Sequence, residues 1–526
     1  MNLKNYSYIS TSIIVLLLIL SLYNSTIIGL SWDETFHHIN GKLRFEYLVS
    51  FGNFEKYNFL NNKYYPGLYD TLLFAVSKLI TNIFGINFIV QSSHIVNWFF
   101  SILSLLGLYL TIKKVFSKNI AKITVILTFL NPFFFGHMSV NQKDNIIFFS
   151  LIWFSYFFIK YIKKFNYKRL RPLLLTAFFL SFGIGVRTSF VVIVIPFIIF
   201  GLIYIFNNNE NSLNVSKKLI IDLIICIPII LAIITIFWPH ILRGEIGIYE
   251  IIKSTLSWKG GPKLGLINGT FYETSNTPAT YFFSFLKNNY PLFLSFLLIL
   301  SYILIFSNKI LFFSYINNFK VKFLILNSLL FFPIIISLIF NAKIYDGIRL
   351  FLFLLPILSI ISSFSLLYLL CTIRISNYSK ILLFVISVLF VLFLTRFAAL
   401  NPYQYSYLNF LSYPIYSKSF NKFEHDYWGT SIKELIDNIV IQFSEEELSK
   451  MKIGICGANN LSHGYYFNKY LNKKIWPKNK ADYVIMINRA SFNPKFKETC
   501  FTKYEGSDIV SVERLNLILS TFRKIK

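Results

Sequence analysis

Long apolar runs alternate with short polar segments over the first three quarters of the chain, and the last quarter lacks this pattern. A bilayer core requires about 20 predominantly apolar residues per helix. Runs near this length predict about eleven membrane spans, at residues 9–30, 94–110, 123–135, 146–162, 173–186, 190–206, 219–238, 291–306, 323–340, 350–370 and 381–394. The first run is too long for a signal peptide and lacks a small-residue cleavage site, so we expect a retained helix.

Composition agrees with a polytopic α-helical membrane protein. The chain is 55% hydrophobic and only 14% charged, whereas soluble proteins carry about 25% charged residues. Its net charge of +27 is spread in short clusters between the apolar runs. A soluble nucleic-acid binder would concentrate such charge on one dense face, so we exclude nucleic acid as a partner.

The basic clusters also predict the orientation of the spans, because Lys and Arg in short loops mark the cytoplasmic side. They mark alternate loops, beginning with Lys113, Lys114, Lys118 and Lys122, and then Lys160, Lys163, Lys164, Lys168, Arg169 and Arg171. Of the twelve acidic residues before residue 400, only Glu210 and Asp222 fall on this side. The other ten are expected on the outer side: Asp33, Glu34, Glu46, Glu55, Asp70, Asp144, Glu245, Glu250, Glu273 and Asp346.

The outer side is also predicted to carry the long loops. The first contains two half-polar helical stretches, 36–49 and 68–80, which are expected to lie at the membrane interface. After the transmembrane domain, 1–399, residues 400–526 are predicted to form a soluble extracytoplasmic α/β domain, with strands at 451–456 and 483–487 and helices at 430–443 and 462–471. Its Cys456 and Cys500 could form a disulfide or stay free, and the sequence favours neither.

The first candidate site follows the first span, in the sequence Ser31-Trp32-Asp33-Glu34-Thr35-Phe36-His37-His38. Two adjacent carboxylates and two imidazoles at a membrane surface are costly unless they are solvated, paired or used. They predict a general base for an acceptor hydroxyl, or part of a metal site. The metalloprotease order H-E-x-x-H is absent. The alternative is a helix start, with Asp33 as its N-cap.

The second candidate is an outer turn, Asn131-Pro132-Phe133-Phe134-Phe135-Gly136-His137, followed by Asn141-Gln142-Lys143-Asp144. Its alternative is a plain turn with Asp144 at a helix start. Third are cations able to hold a phosphate, because Arg chelates phosphate oxygens and Lys acts as a point charge. These are Arg187, Arg243, Lys259, Lys263 and Arg349. The alternative for each is contact with lipid headgroups.

The arrangement of these motifs resembles the GT-C membrane glycosyltransferases. More narrowly, it resembles the branch of protein O-mannosyltransferases, aminoarabinose lipid A transferases and lipopolysaccharide galacturonosyltransferase-like proteins. The motifs that carry the resemblance, over roughly residues 8–400, are Trp32-Asp33-Glu34, Tyr65-Pro66-Gly67-Leu68, Phe135-Gly136-His137 with Asn141-Gln142-Lys143-Asp144, and Asp346-Gly347-Ile348-Arg349. Family members often have His-Pro-Pro-Leu at the second motif, so this chain departs from the pattern there.

The resemblance implies a GT-C-like fold and an inverting transfer of a hexosyl or pentosyl group from a polyprenyl-phosphate donor. The acceptor would be an extracytoplasmic glycan or lipid, and the protein would lie in a bacterial inner (plasma) membrane in contact with membrane lipid. A protein O-mannosyltransferase is the alternative within this class. Some relatives bind a divalent metal, which His37 or His240 would then assist.

Residue roles are also implied by the resemblance. Asp33 would activate the acceptor hydroxyl or amine with Glu34 in support, and Asp144 would be the second acid. The donor phosphate would be held by Arg187, Lys259 and Arg349. Support for the site would come from His37, His137 and Lys143.

Two hypotheses of other classes remain. A flippase or transporter for a lipid-linked glycan should carry polar residues deep in its spans, whereas this chain keeps them at the outer rim. A scaffold protein working through its C-terminal part predicts that Asp33→Asn is silent.

Overall fold

The computed structural model describes residues 3–526 except 53–62, 86–88, 257–260, 308–311, 413–420, 472–474, 478–479, 492 and 494. The first helices are α1 (Leu3–Ile27), α2 (Glu34–Val49), α3 (Leu68–Phe84), α4 (Ile89–Val115), α5 (Lys118–Phe129) and α6 (Pro132–His137). Next come α7 (Asp144–Lys163), α8 (Leu170–Ile184), α9 (Phe190–Asn207), α10 (Ser212–Phe237), α11 (Pro239–Leu242) and α12 (Ile248–Leu256).

A hairpin of β1 (Leu264–Ile267) and β2 (Thr270–Glu273) follows α12. The remaining helices before residue 400 are α13 (Tyr281–Asn288), α14 (Leu292–Phe306), α15 (Phe319–Ile339), α16 (Leu355–Thr372) and α17 (Asn377–Ala399). A 3-10 turn, Arg349–Leu354, leads into α16. The predicted interfacial stretches 36–49 and 68–80 are confirmed as helices, namely α2 and α3.

Eight helices in the described parts of the chain are long and apolar enough to cross a membrane, by length and composition. These are α1, α4, α7, α9, α10, α15, α16 and α17. A ninth span results if α13 and α14, which are bent by 116°, form one broken crossing. The chain is therefore an integral membrane protein, and the predicted count of eleven spans is only partly confirmed.

The difference lies in helix length, because all eleven predicted runs fall on helices. Helix α8 has 15 residues and α5 has 12, so α5 is roughly 18 Å long against a bilayer core of about 30 Å. The run 123–135 is interrupted because the side chain of Asn131 accepts from the N–H of Phe133 and begins α6. Pro132, which has no N–H, stands at the first position of that new helix, where proline is tolerated.

Burial separates central from peripheral helices. In the span formed by α16 and the 3-10 turn before it, 89% of the most apolar 18-residue stretch is buried within the protein. The corresponding share in α10 is 6%. Helix α16 therefore packs among protein side chains, whereas α10 lies at the periphery with few buried residues. Small serines favour this close packing, since Ser301 of α14 donates to the carbonyl of Ile361 and Ser365 of α16 donates to that of Leu297.

The chain after α17 forms an α/β structure. Its elements are α18 (Ile432–Gln442), α19 (Glu445–Lys450), β3 (Ile453–Cys456), α20 (Asn460–Tyr466), β4 (Tyr483–Ile487), α21 (Cys500–Lys503), β5 (Gly506–Arg514) and β6 (Leu517–Ile525). The four strands form one sheet in the order β3-β4-β6-β5, in which only β3 and β4 are parallel. The predicted strands 451–456 and 483–487 are confirmed, whereas the hairpin of β5 and β6 was not foreseen.

The C-terminal sheet is closed by a disulfide between Cys456 and Cys500. This resolves the alternative that the sequence left open. Among the described residues, Cys226 and Cys371 are free cysteines. The C-terminal part also packs on the turn after α1, where the hydroxyl of Tyr466 accepts from the N–H of Leu30 at 2.6 Å. The domain boundary at residue 400 stays a prediction.

Candidate active site

Asp33 lies in the turn between α1 and α2, at the N-cap position of α2. Its side chain makes no capping hydrogen bond, and its Oδ2 instead lies 3.0 Å from Nη1 of Arg349. The Asp33 side chain is 40% exposed. Burial acts to raise the pKa of Asp33, but the charges of Arg349, His37 and Arg489 and the hydrogen bond from Arg349 together outweigh this effect, and the pKa lies below its usual value. Asp33 is therefore an accessible anionic carboxylate and not a helix cap.

Glu34 is enclosed, with only 2% of its surface exposed. One of its oxygens lies 2.8 Å from Nε2 of His94 on α4, and the other accepts a hydrogen bond from the N–H of Ser31. The amide of Gln142 donates to the first oxygen at 3.4 Å. Glu34 thus ties the Asp33 turn to α4 and to the loop before α7, in a position that a reacting group could not enter without displacing these partners.

Asp144 begins α7, where a carboxylate is favoured by the helix dipole. The side chain of Asn141 accepts from the N–H of Asp144 at 2.7 Å and donates to its Oδ2 at 3.2 Å. The other carboxylate oxygen lies 2.6 Å from Nη2 of Arg187, in the turn between α8 and α9. The Arg187 side chain is 23% exposed, so its guanidinium remains accessible from the site.

Asp346 is held between two guanidiniums. Its Oδ2 lies 3.3 Å from Nε of Arg349, and its Oδ1 lies 3.1 Å from Nη2 of Arg489 in the C-terminal part. Asp346 and Gly347 both have positive φ, 56° and 65°, and form the turn before the 3-10 segment that carries Arg349. The chain of charges therefore runs from Arg489 through Asp346 and Arg349 to Asp33.

Lys143 faces a second group of side chains beside Asp144. Its Nζ lies 3.7 Å from the ring centre of Tyr65. Burial and the nearby charge of Arg187 lower the pKa of Lys143 to about 7, although Asp70, Asp144 and Asp33 act in the opposite direction. Asp70 itself is held by Nδ1 of His37 at 3.0 Å and by Asn40 at 2.5 Å.

All these charges belong to one cluster. Burial raises the pKa of Tyr65 well above its usual value, and the carboxylates of Asp70, Asp33 and Asp144 raise it further. The carboxylates of Asp346, Asp33 and Asp144 all interact electrostatically with the guanidinium of Arg349. The described residues thus bring five separate parts of the chain, and a sixth from its C-terminal end, to one polar site that is partly open.

Residues 71–238 match the protein family described as Dolichyl-phosphate-mannose-protein mannosyltransferase. Over these residues the match agrees with the resemblance to protein O-mannosyltransferases. It spans α3 to α10 and therefore includes Asp144 and Arg187, whereas Asp33 and Arg349 lie outside it. No curated protein matches the chain in sequence.

Two solved GT-C structures are similar to this one over most of its length. ArnT from Cupriavidus metallidurans bound to undecaprenyl phosphate is 11% identical, with 97% of each chain covered and a TM-score of 0.47. The Archaeoglobus fulgidus oligosaccharyltransferase in the apo form is also 11% identical, with 89% of this chain and 60% of that chain covered and a TM-score of 0.45.

Most site residues expected from the GT-C resemblance lie in the cluster. The structure brings together Asp33, Asp144, Arg187, Arg349, Lys143 and His37. Glu34 lies behind Asp33 and contacts it only through the backbone turn. Lys259 lies outside the described residues.

His137 is fully buried beside the charged cluster. Its Nε2 lies 3.0 Å from the hydroxyl of Tyr427, and its ring packs against Trp428. Burial lowers the pKa of His137 to about 3, so the imidazole is neutral at ordinary pH. This neutral ring supports the packing between α6 and the C-terminal part, and it offers no charge to a substrate.

Sequence reasoning missed the roles of Asp70, Tyr65 and Arg489 in the site. Asp70 could have been predicted, since it is one of the acidic residues on the predicted outer side. Tyr65 could also have been predicted, because it replaces the histidine that is usual in the second GT-C motif. No sequence feature pointed to Arg489, which lies in the predicted soluble domain, 143 residues from Asp346.

Some GT-C relatives bind a divalent metal, and the residues that the structure describes do not fit one. In the described part of the chain, no group of three or more His, Cys, Asp or Glu side chains is placed to hold a metal ion. His37 is paired with Asp70, and His240 is paired with Glu245. Cations, rather than further ligands, surround Asp33 and Asp144.

Proposed function

We propose that the protein is a membrane glycosyltransferase that moves a hexosyl or pentosyl group from a polyprenyl-phosphate donor to an extracytoplasmic glycan or lipid, with inversion. The observation that carries this proposal is the pairing of an exposed carboxylate, Asp33, with the guanidinium of Arg349 at 3.0 Å, beside a second pair, Asp144 and Arg187, at 2.6 Å. The match to a family named for a dolichyl-phosphate sugar supports a donor of this chemical class.

Asp33 is the base of the proposed reaction. It accepts the proton of the acceptor hydroxyl or amine while the acceptor atom attacks the anomeric carbon. The bond between that carbon and the donor phosphate oxygen breaks on the opposite face, and the electron pair leaves with the polyprenyl phosphate. One displacement on the face opposite the leaving group inverts the anomeric configuration. The lowered pKa of Asp33 keeps it ionised and ready to accept the proton.

The leaving phosphate gains negative charge during this step and needs positive groups fixed in advance. Arg349 and Arg187 are proposed to hold the phosphate oxygens, since each has a planar guanidinium with several donors. Lys259, expected from the sequence, is proposed as a third cation. Asp144 holds Arg187 in place, and Glu34 supports the backbone turn that carries Asp33.

A second candidate function is protein O-mannosylation. It is favoured by the name of the matching family, which includes a protein acceptor. The two candidates share the donor and the proposed roles of the site residues. They differ only in where the sugar is found after the reaction.

The test uses the purified protein in lipid with radiolabelled polyprenyl-phosphate sugars and three acceptor preparations: lipid, glycan and protein. We expect transfer by the wild-type protein and a loss of about 10²- to 10⁴-fold in Asp33→Asn, the range that general-base catalysis contributes. Asp144→Asn is expected to raise the KM for the donor, since it releases Arg187. Label in the protein fraction alone would identify the second candidate.

Asp222→Asn is the matched control for these variants. Asp222 is also a buried aspartate paired with an arginine, Arg169, at 3.0 Å, but it lies on α10 outside the charged cluster. Its loss should affect folding as the loss of Asp144 does, without changing transfer per folded molecule. Normal transfer by Asp33→Asn would overturn the assigned mechanism.

The proposed site faces the extracytoplasmic side of a bacterial inner membrane. This orientation rests on the basic loops, which mark the opposite ends of the spans. A reporter enzyme active only outside the cytoplasm, fused after Arg396, is expected to be active. A reporter active only in the cytoplasm, fused at the same position, is the control, and its activity would invert the orientation.

A further inference from the structure

Arg489 lies just after β4 in the C-terminal part and is 2% exposed. Its guanidinium contacts three groups from earlier parts of the chain: a backbone carbonyl, a carboxylate and an aromatic ring. Nη1 donates to the carbonyl of Tyr427, and Nη2 lies 3.1 Å from Oδ1 of Asp346. The guanidinium carbon also lies 4.5 Å from the ring centre of Trp32, over its face.

The contact with Asp346 affects the partner of Asp33. Asp346 has two carboxylate oxygens, and Arg489 and Arg349 each face a different one. Arg349 keeps its Nη1 on Asp33 while its Nε faces Asp346. Arg489 thus shares the charge of Asp346 and fixes the direction from which that carboxylate meets Arg349.

The contact with Trp32 affects the backbone of Asp33. Trp32 immediately precedes Asp33, and its carbonyl accepts hydrogen bonds from the amide of Asn459 at 2.8 Å and from the hydroxyl of Ser462 at 2.9 Å. Both donors belong to the C-terminal part, at the start of α20. The indole is therefore held by Arg489 and the carbonyl by α20, so the C-terminal part fixes the peptide that leads into Asp33.

We propose that Arg489 is a positioning residue for Asp33, and that the C-terminal sheet is thereby part of the active-site framework. The inference rests on the proposed transferase function. Arg489 acts on Asp33 from two sides, through Trp32 along the backbone and through Asp346 and Arg349 at the side chain. Because reacting groups must be held within a fraction of an ångström, a small shift of Asp33 lowers the rate of the chemical step.

Arg489→Gln removes the charge while keeping a polar side chain of similar reach. Asp346 then keeps Arg349 as its remaining ion-pair partner and draws the guanidinium of Arg349 away from Asp33. We expect kcat to fall about 10- to 100-fold with a change in donor KM of less than about threefold, because Arg187 keeps its place beside Asp144 and still holds the donor phosphate. Arg489→Lys keeps one positive charge but cannot donate to the Tyr427 carbonyl and Asp346 in the same fork geometry, so it should recover kcat only in part.

Arg523→Gln is the matched control. Arg523 lies on β6 of the same sheet and has the same kinds of partner: an aspartate, Asp508, backbone carbonyls of Phe501 and Tyr504, and the ring of Phe501. Its loss weakens the sheet without touching the Asp33 turn. A fall in kcat per folded molecule in both variants would show a general folding effect and overturn the proposal.

A pH profile adds a readout that a folding role would not change. The positive charge of Arg489 is among those that lower the pKa of Asp33. In Arg489→Gln that pKa rises, so the acidic limb of kcat/KM should move to higher pH. The limb should stay in place in Arg523→Gln. An unmoved limb in Arg489→Gln would contradict the coupling to Asp33.

Ser462→Ala covers the case in which Arg489→Gln fails to fold. It deletes one hydroxyl, keeps the sheet intact and removes one of the two hydrogen bonds to the Trp32 carbonyl, leaving that from Asn459. We therefore expect kcat to fall about two- to fivefold with donor KM unchanged. If Arg489→Gln folds, full activity in that variant would reject the inference; if it does not fold, unchanged kcat in Ser462→Ala would reject it. Absence of transfer by the wild-type protein would instead reject the proposed function, which separates the two failures.

Discussion

The carboxylate of Asp33 lies 3.0 Å from Nη1 of Arg349, although 316 positions of sequence separate the two residues. This pair joins the turn after the first helix to the 3-10 turn that leads into α16, the most buried of the candidate spans in the described chain. It also places the proposed base beside a cation that can hold the leaving phosphate. One ion pair thus links the two halves of the proposed reaction.

Arg349→Lys tests this link. An ammonium can reach one of the two carboxylates but cannot bridge Asp33 and Asp346 as the guanidinium does. We expect kcat/KM to fall at least about tenfold, with both a lower kcat and a higher donor KM, because Asp33 and the phosphate lose a shared partner. Steady-state kinetics with a polyprenyl-phosphate sugar would measure both parameters.

Arg169→Lys is the comparison for that variant, since Arg169 is paired with Asp222 outside the charged cluster. It should leave both parameters near wild-type values. If the two lysine variants behave alike, Arg349 has no special part in transfer.

Some of the site could be predicted from the sequence, and the reason is local. Asp33 and Asp144 each follow or begin a helix at the outer end of a span, so their shared side follows from the alternation of spans. Their partners could not be predicted in this way. Arg349 and Arg187 were expected to hold phosphate as separate cations, and only tertiary packing shows that each pairs with a different acid.

The length of the shorter helices shows a similar limit. The apolar run 123–135 has the composition of a span, but Asn131 and Pro132 stop α5 after 12 residues. Composition measures how apolar a segment is, and it does not reveal a cap that satisfies backbone N–H groups within it. The C-terminal strands at 453–456 and 483–487 could be predicted because both are short apolar runs between polar segments.

Lys143 predicts a pH dependence of donor binding. Its pKa of about 7 places the loss of its charge within the ordinary assay range. The donor phosphodiester stays anionic over that range, so the KM for the donor should be low below pH 7 and rise as the pH increases through 7. Initial rates at several donor concentrations between pH 6 and 8.5 would measure this change.

Lys143→Arg separates this effect from other titrations. The arginine keeps its charge throughout, so the KM should become nearly independent of pH. Arg187, Asp70, Asp144 and Asp33 surround Lys143, and this substitution changes none of them. A pH dependence that persists unchanged in Lys143→Arg would assign it to another group, such as Glu424, whose pKa burial raises to about 7.

Glu34 is predicted to stabilise the turn rather than to react. Glu34→Gln replaces an anionic acceptor of His94 and of the Ser31 N–H with a neutral amide, in a buried place where a misplaced polar group costs about 1–3 kcal/mol. We expect lower thermal stability and a loss of transfer much smaller than that of Asp33→Asn. An inactive Glu34→Gln protein with unchanged thermal stability would instead make Glu34 a reacting acid.

The disulfide between Cys456 and Cys500 predicts a link between oxidation and activity. The N–H of Cys500 donates to the carbonyl of Arg489 at 3.1 Å, and Cys456 ends the strand that leads to Asn459. Both contacts that hold Trp32 therefore arise next to the crosslink. Because the bond joins positions 44 residues apart, its loss should destabilise the C-terminal part by about 4 kcal/mol in the chain-entropy treatment.

We expect Cys456→Ser/Cys500→Ser to unfold at lower temperature and to transfer sugar with a reduced kcat, measured on the same purified protein. Cys226→Ser/Cys371→Ser, which removes two free thiols, should match the wild-type protein in both measurements. A lower unfolding temperature with a fully retained kcat would show that the crosslink stabilises the sheet without contributing to the position of Asp33.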